Sequence, residues 1–109
     1  MPYAYKVLGQ SAPSATTNTD VYTVGAGKQA IVSTITVANR AATSATYRIA
    51  IRPAGATLAN QHYIAYGVPL AAGAVFSIQG GITLGNTDVI TVYSTTGNTA
   101  FQAYGSDGN

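Results

Sequence analysis

The chain has 109 residues, with five Lys or Arg, three Asp, no Glu, no Cys, no Trp and one His. Charged side chains make up 7% of it and the net charge is +2, whereas charged residues usually account for about 25% of a soluble domain. These figures exclude a disulfide framework and a thiolate metal site, and no apolar run reaches the length of about 20 residues needed to cross a bilayer.

In chain order, Tyr3 to Gly9 is a first β-prone run, followed by the polar connection Ser11 to Thr19. Asp20 to Val24 is a short strand closed by Gly25-Ala26-Gly27. Gln29 to Ala38 is the clearest strand: alternation places Ile31, Ser33, Ile35 and Val37 on one face and Val32, Thr34, Thr36 and Ala38 on the other. After the turn-like Asn39 to Ser44, the chain returns through Ala45 to Pro53. There Tyr47, Ile49 and Ile51 point one way and Arg48, Ala50 and Arg52 the other. These two segments are expected to pair as a hairpin, with Ile31, Ile35, Tyr47, Ile49 and Ile51 feeding one core.

Pro53-Ala54-Gly55-Ala56 breaks the pattern, and Thr57 to Asn60 has room for a short helical turn. Gln61 to Tyr66 reads as a strand running into Gly67-Val68-Pro69, which excludes a central ladder position. Ala74 to Gln79 follows and ends at Gly80-Gly81. Asp88 to Thr95 and Thr99 to Tyr104 suit a second hairpin across Thr96-Gly97-Asn98, and the tail Gly105 to Asn109 is expected to fray. Seven or eight strands without an amphipathic helix point to an all-β, antiparallel β-sandwich, jelly-roll-like, as a single domain over 1–109.

The chemistry-bearing residues are few. Asp20 and Asp88 open predicted strands, where Asp serves most often to tie a turn through nearby backbone N–H groups. His62 is the only imidazole, and Asn60-Gln61-His62-Tyr63 has no nucleophile elbow. It reads as a strand-edge His. Gly25-Ala26-Gly27-Lys28 lacks the spacing and the following helix of a phosphate loop, so it reads as a turn. Nothing here calls for a cofactor, a metal or a catalytic group.

Arg40, Arg48 and Arg52 are the charges of interest. Arg48 and Arg52 share a strand face, about 13 Å apart at the usual rise. Five cations would give only weak, salt-sensitive nucleic-acid binding; the Arg are expected either to be solvated or paired within the chain, or to dock their flat forks on carboxylates of a neighbouring subunit. Among eight Tyr, Tyr47 and Tyr93 alternate with aliphatics and are expected in the core. Tyr63 and Tyr66 frame a strand and suit an interface. Sugar binding through Tyr faces would also want acids or amides grouped on one loop, which the sequence does not display. Because a soluble monomer usually carries a more charged surface, much of the exterior is expected to be covered by other chains.

The stretches Tyr22 to Ile35 and Tyr47 to Ala56, with Tyr5-Lys6-Val7-Leu8-Gly9-Gln10 and Leu58 to Ala65, resemble small virion structural proteins of tailed bacteriophages, especially those of cyanobacteria. The similarity runs from about Tyr5 to Tyr104. In that family the turn after the second strand is usually Val-Pro-Ala-Gly, and Gly25 stands here in place of the Pro. The resemblance implies a non-enzymatic part of a virus particle. The leading expectation is a trimeric capsid decoration or cement protein contacting itself and the major capsid protein through Arg40, Arg48, Arg52, Tyr63 and Tyr66. It would need no nucleic acid or membrane. The alternative is a tail, baseplate or fibre component with a host-carbohydrate-binding role.

Overall fold

Strand-forming residues dominate between short turns, and they build eight strands in a computed structural model that describes residues 4–108. The strands are β1 (Ala4–Ser11), β2 (Thr19–Thr23), β3 (Gln29–Asn39), β4 (Ala45–Arg52), β5 (Tyr63–Leu70), β6 (Val75–Leu84), β7 (Val89–Ser94) and β8 (Thr99–Gly108). Single 3-10 turns at Pro53–Gly55 and Asn60–His62 join β4 to β5. The start of the first strand at Tyr3 lies outside the described residues.

Two antiparallel sheets form, in the orders β1-β8-β3-β6 and β2-β7-β4-β5. The pairs β1/β8, β2/β7, β3/β6 and β4/β5 are those of a long hairpin rolled onto itself, which is the jelly-roll arrangement. Only β4 and β5 are consecutive strands paired within one sheet. The two hairpins expected from the sequence are therefore corrected: β3 and β4 lie in opposite sheets, as do β7 and β8, and their short connections arch across the sandwich. Short turns and alternating patterns are the same for a hairpin and an arch, and only the far partners of each strand distinguish them. The expected placement of Pro69 holds, since β5 is an edge strand.

The core lies between the sheets. Val32, Ile35, Val37, Phe101 and Ala103 from one sheet meet Tyr47, Ile49, Ile90 and Val92 from the other, all buried. Ile31 is the exception to the sequence expectation, being 46% exposed. The β3 register shifts between Val32 and Thr34, so Ser33 is an extra residue and the alternation changes phase there. Val32 and Ile35 both face inward as a result, and Ile31 faces out. The tail is also corrected: Gly105 to Gly108 continue β8, with Ser106 and Gly108 buried, because β1 and β3 flank them on both sides. Gly9 lets the two sheets close at one edge, since a Cβ there would overlap the Val21 carbonyl oxygen.

Polar clasps close both ends. Buried Asn39, at the end of β3, lies within hydrogen-bond distance of the carbonyls of Leu70, Ala71 and Thr43 and accepts from the Ala41 N–H at 3.0 Å, so it ties one sheet to the other. At the opposite end the Tyr22 hydroxyl donates to Asp107 at 2.9 Å, and Lys6 pairs with the same carboxylate at 3.2 Å. Burial pushes the Asp107 pKa up, but hydrogen bonds from Tyr22 and Lys6 and the Lys6 and Lys28 charges outweigh it and hold the carboxyl below its ordinary value. Burial, with the Asp107 hydrogen bond and charge, pushes the Tyr22 phenol far up.

Two tests follow from this frame. A carboxyl depressed in the folded state contributes stability above its unfolded pKa and loses that contribution as pH falls through the folded value. The stability lost by Asp107→Asn is therefore expected to be full at pH 6–7 and to shrink as pH falls below the ordinary value of 3.8, read from urea unfolding. Equal losses at pH 7 and pH 2.5 would contradict the clasp. Tyr47 packs edge-on to Phe101, with centroids 6.2 Å apart, yet its hydroxyl is buried without a hydrogen-bond partner among the described residues. Leaving such a group unpaired costs about 1–3 kcal/mol, so Tyr47→Phe is expected to raise Tm, by about 4–8 °C for each kcal/mol recovered. A lowered Tm would show that the hydroxyl is satisfied.

Candidate functional site

A sandwich without helices leaves two outer sheet faces, and the two differ sharply in chemistry. On the β1-β8-β3-β6 sheet, outward residues line up across the strands by register. The rows are Tyr5–Ser106–Ile31–Thr83, Val7–Tyr104–Thr34–Gln79, Gln10–Gln102–Thr36–Ser77 and Ala100–Ala38–Val75. No row contains a charged side chain. Tyr5, Val7, Ile31 and Val75 are all large, apolar and exposed. The amide of Gln10 donates to Gln102, which also accepts from the Tyr104 hydroxyl at 2.6 Å, so part of the polar surface is internally paired. Lys28 and Arg40 sit just before and just after β3, off this face.

The opposite face, on β2-β7-β4-β5, carries Arg48 and Arg52. Arg48, on central strand β4, is paired directly with Tyr93 of β7. On its other side the β5 register shifts between the partners of Tyr47 and Ile49, leaving Tyr66 and Gly67 opposite Arg48. Gly67 takes φ +64° at this bulge, a conformation that favours glycine. The guanidinium carbon of Arg48 then lies 4.3 Å from the Tyr66 ring centroid and 4.2 Å from that of Tyr93. Two cation–π contacts thus clamp one planar group from both sides. Tyr63 meets Tyr66 at 84° with centroids 4.8 Å apart. Residues three apart in a regular strand face opposite ways, and the bulged strand brings both rings to one surface. Asn60, Tyr63 and Tyr66 line a groove of about 250 Å³ beside this stack.

Of the five residues singled out from the sequence, Arg48, Tyr63 and Tyr66 come together. Arg52 lies on the same face but its donors are used within the chain. It bonds to Asp20 at 3.1 Å, to the Thr91 hydroxyl at 2.9 Å and to the carbonyls of Gly55 and Ala56. Arg40 is exposed in the β3–β4 connection, where its backbone N–H donates to Asn98. Tyr93 was expected in the core and is corrected to this outer stack, because Val92 takes the inward position. Asn60, placed in the sequence only at the end of a short helical turn and beside His62, is a further residue of this site. Its only signal is an amide three residues before Tyr63, and the 3-10 turn is what carries it to the groove.

The remaining groups have local duties. Asp88 ties the turns as expected, accepting from the backbone N–H groups of Gly85 at 2.7 Å and Ala54 at 2.8 Å. Asp20 differs from that expectation: it holds Arg52 and accepts from the Thr91 hydroxyl. His62 ends the second 3-10 turn rather than lying on a strand edge, and its buried Nδ1 accepts from the Ala59 N–H at 3.0 Å. Gly25 to Lys28 is a turn, closed by the Lys28 N–H to Gly25 and by Asn86 accepting from the Gly27 N–H. Among the described residues no three His, Asp or Glu gather as metal ligands.

The Arg48 clamp makes an energetic prediction. A double-mutant cycle of Arg48→Met and Tyr93→Leu is expected to show a coupling of about 0.5–1 kcal/mol in urea unfolding. Strict additivity would mean that the stack contributes nothing. Comparison with protein-family models, with curated proteins and with solved structures returns no match.

Proposed function

We propose that the protein is a non-enzymatic structural subunit of a virus particle, a decoration protein that cements the head of a tailed phage. The observation that carries this reading is the outer face of β1-β8-β3-β6, which among the described residues holds no charged side chain and exposes Tyr5, Val7, Ile31 and Val75. Docking such a face desolvates no ion, so the usual penalty for burying charge is absent. Jelly rolls serve in viral capsids and in lectins alike, so the fold admits the reading without requiring it. The resemblance of Tyr22 to Ile35 and Tyr47 to Ala56 to phage virion proteins favours the particle.

Size argues for repetition. Four strands about 4.8 Å apart and about eight residues long span roughly 500 Å² in projection. A standard interface buries about 800 Å² per partner. One such face is marginal as a pairwise contact but effective when symmetry repeats it over a shell, around a trimer of this chain and against the major capsid protein. The second reading, a tail or fibre component, shares this chemistry and differs in copy number.

Quantitative mass spectrometry of purified particles, intact and stripped of tails, tests the proposal. Hundreds of copies retained with tail-free heads are expected, and loss with the tails would overturn the head assignment. In solution the isolated protein is expected to self-associate at high concentration by light scattering, and Thr34→Lys to disperse it. A wild-type protein that stays monomeric would remove the basis of the reading.

A further inference from the structure

We propose that the face opposite the charge-free one carries a binding site for a carboxylate-bearing pyranose, a uronic-acid unit of a polysaccharide. The site is the groove of Asn60, Tyr63 and Tyr66 with the Arg48 stack along its side. The proposal does not rest on the virion assignment, since it uses the other sheet and concerns the isolated chain.

Four observations converge on this ligand class. First, the Arg48 charge is uncompensated. Its contacts are two aromatic rings, and no acceptor or carboxylate meets its N–H groups among the described residues. The three acids of the chain are already engaged, Asp20 by Arg52, Asp107 by Lys6 and Tyr22, and Asp88 by backbone N–H groups. A second copy therefore has no spare carboxylate among its described residues, and the anion comes from a different molecule. A guanidinium packed against two rings keeps its N–H groups for a carboxylate, which its fork can meet with two bonds.

Second, Tyr63 and Tyr66 stand almost perpendicular and form two walls of the groove. Aromatic walls offer an electron-rich surface to the C–H face of a sugar ring. Third, the side-chain amide of Asn60 and the hydroxyls of Tyr63 and Tyr66 have no partners among the described residues. The residues that line the groove therefore keep three polar groups that sugar hydroxyls can use. Fourth, the volume of about 250 Å³ lies just below the range of about 300–1,000 Å³ for drug-sized ligands. It fits one ring rather than an extended segment.

The competing occupants fit less well. An added peptide strand needs a regular edge, and β5 is broken by two register shifts and Pro69. Single-stranded nucleic acid would stack on Tyr, yet one unpaired guanidinium supplies a single phosphate contact, which gives little affinity.

The test is titration of the isolated full chain with oligomers of alginate, of neutral dextran, of polyglutamate and of thymidylate, followed by calorimetry and by chemical-shift changes at Tyr66 and Asn60. Alginate binding that moves these residues is expected, at least tenfold tighter than dextran or polyglutamate. Arg48→Gln is expected to remove that preference, and Tyr66→Ala, at a side chain 60% exposed, to abolish binding while the circular dichroism spectrum is unchanged. Gln102→Ala on the other face is expected to bind as wild type. No alginate binding, binding unaffected by Arg48→Gln, or equal binding of polyglutamate or thymidylate would each overturn the proposal. None of these outcomes bears on copy number in particles, so this site and the assembly reading stand or fall separately.

Discussion

Two sheets close on a single apolar layer, and everything outside that layer follows from the closure. Ile35, Val37 and Phe101 from one sheet meet Tyr47, Ile49 and Val92 from the other. Each fully buried side chain of this kind contributes about 1.5–3 kcal/mol. With every inward position spent on that layer, polar and ionic groups have only the ends of the sandwich and its two outer faces. Among the described residues no helix covers either face, so each is left to meet water or another molecule. The fold thus turns a question of stability into one of surface chemistry.

The charges are distributed accordingly. Lys6 and Asp107 stitch one open end together with Tyr22. Asp20 and Arg52 pin β2 to the turn after β4, and Asp88 organises the turn before β7. An ion pair at the surface adds little by itself, but Arg52 also donates to the Gly55 and Ala56 carbonyls, and Asp107 also accepts from the Tyr22 hydroxyl. After those duties Arg48 is left with aromatic company alone and one sheet face is left with no charge. The scarcity of ionic groups therefore sharpens the contrast between the two faces.

Bulges do the positioning. Ser33 in β3 rephases the strand so that Val32 and Ile35 both reach the core, and it exposes Ile31 on the neutral face. The irregularities of β5 bring Tyr63 and Tyr66 to one surface and set Tyr66 against Arg48. Each bulge weakens an ideal ladder locally and in return re-aims side chains that strict alternation would bury or separate. The groove and its stack exist because β5 is irregular, and the same irregularity protects an edge that would otherwise invite another strand.

The amino-acid order alone determined the class of structure. β-branched and aromatic runs, broken by Gly and Pro clusters and never showing a helical period, sufficed for seven or eight strands, a sandwich, the core positions of Ile35, Tyr47 and Ile49, and the edge location of the Pro69 strand. These properties are local, resting on φ/ψ preference and a period of two. The tertiary structure decided what depends on partners distant in sequence. It turned two expected hairpins into arches, moved Ile31 and Tyr93 from the core to the outside, kept the tail in a strand and brought Asn60 to Tyr63 and Tyr66. A bulge shifts register by one residue and reverses every later side chain, and a strand pattern carries no record of which neighbour supplies the shift. Alternation could show that Arg48 faces away from Tyr47. Only the pairing of β4 with both β7 and β5 could show that two Tyr rings wait there to hold it.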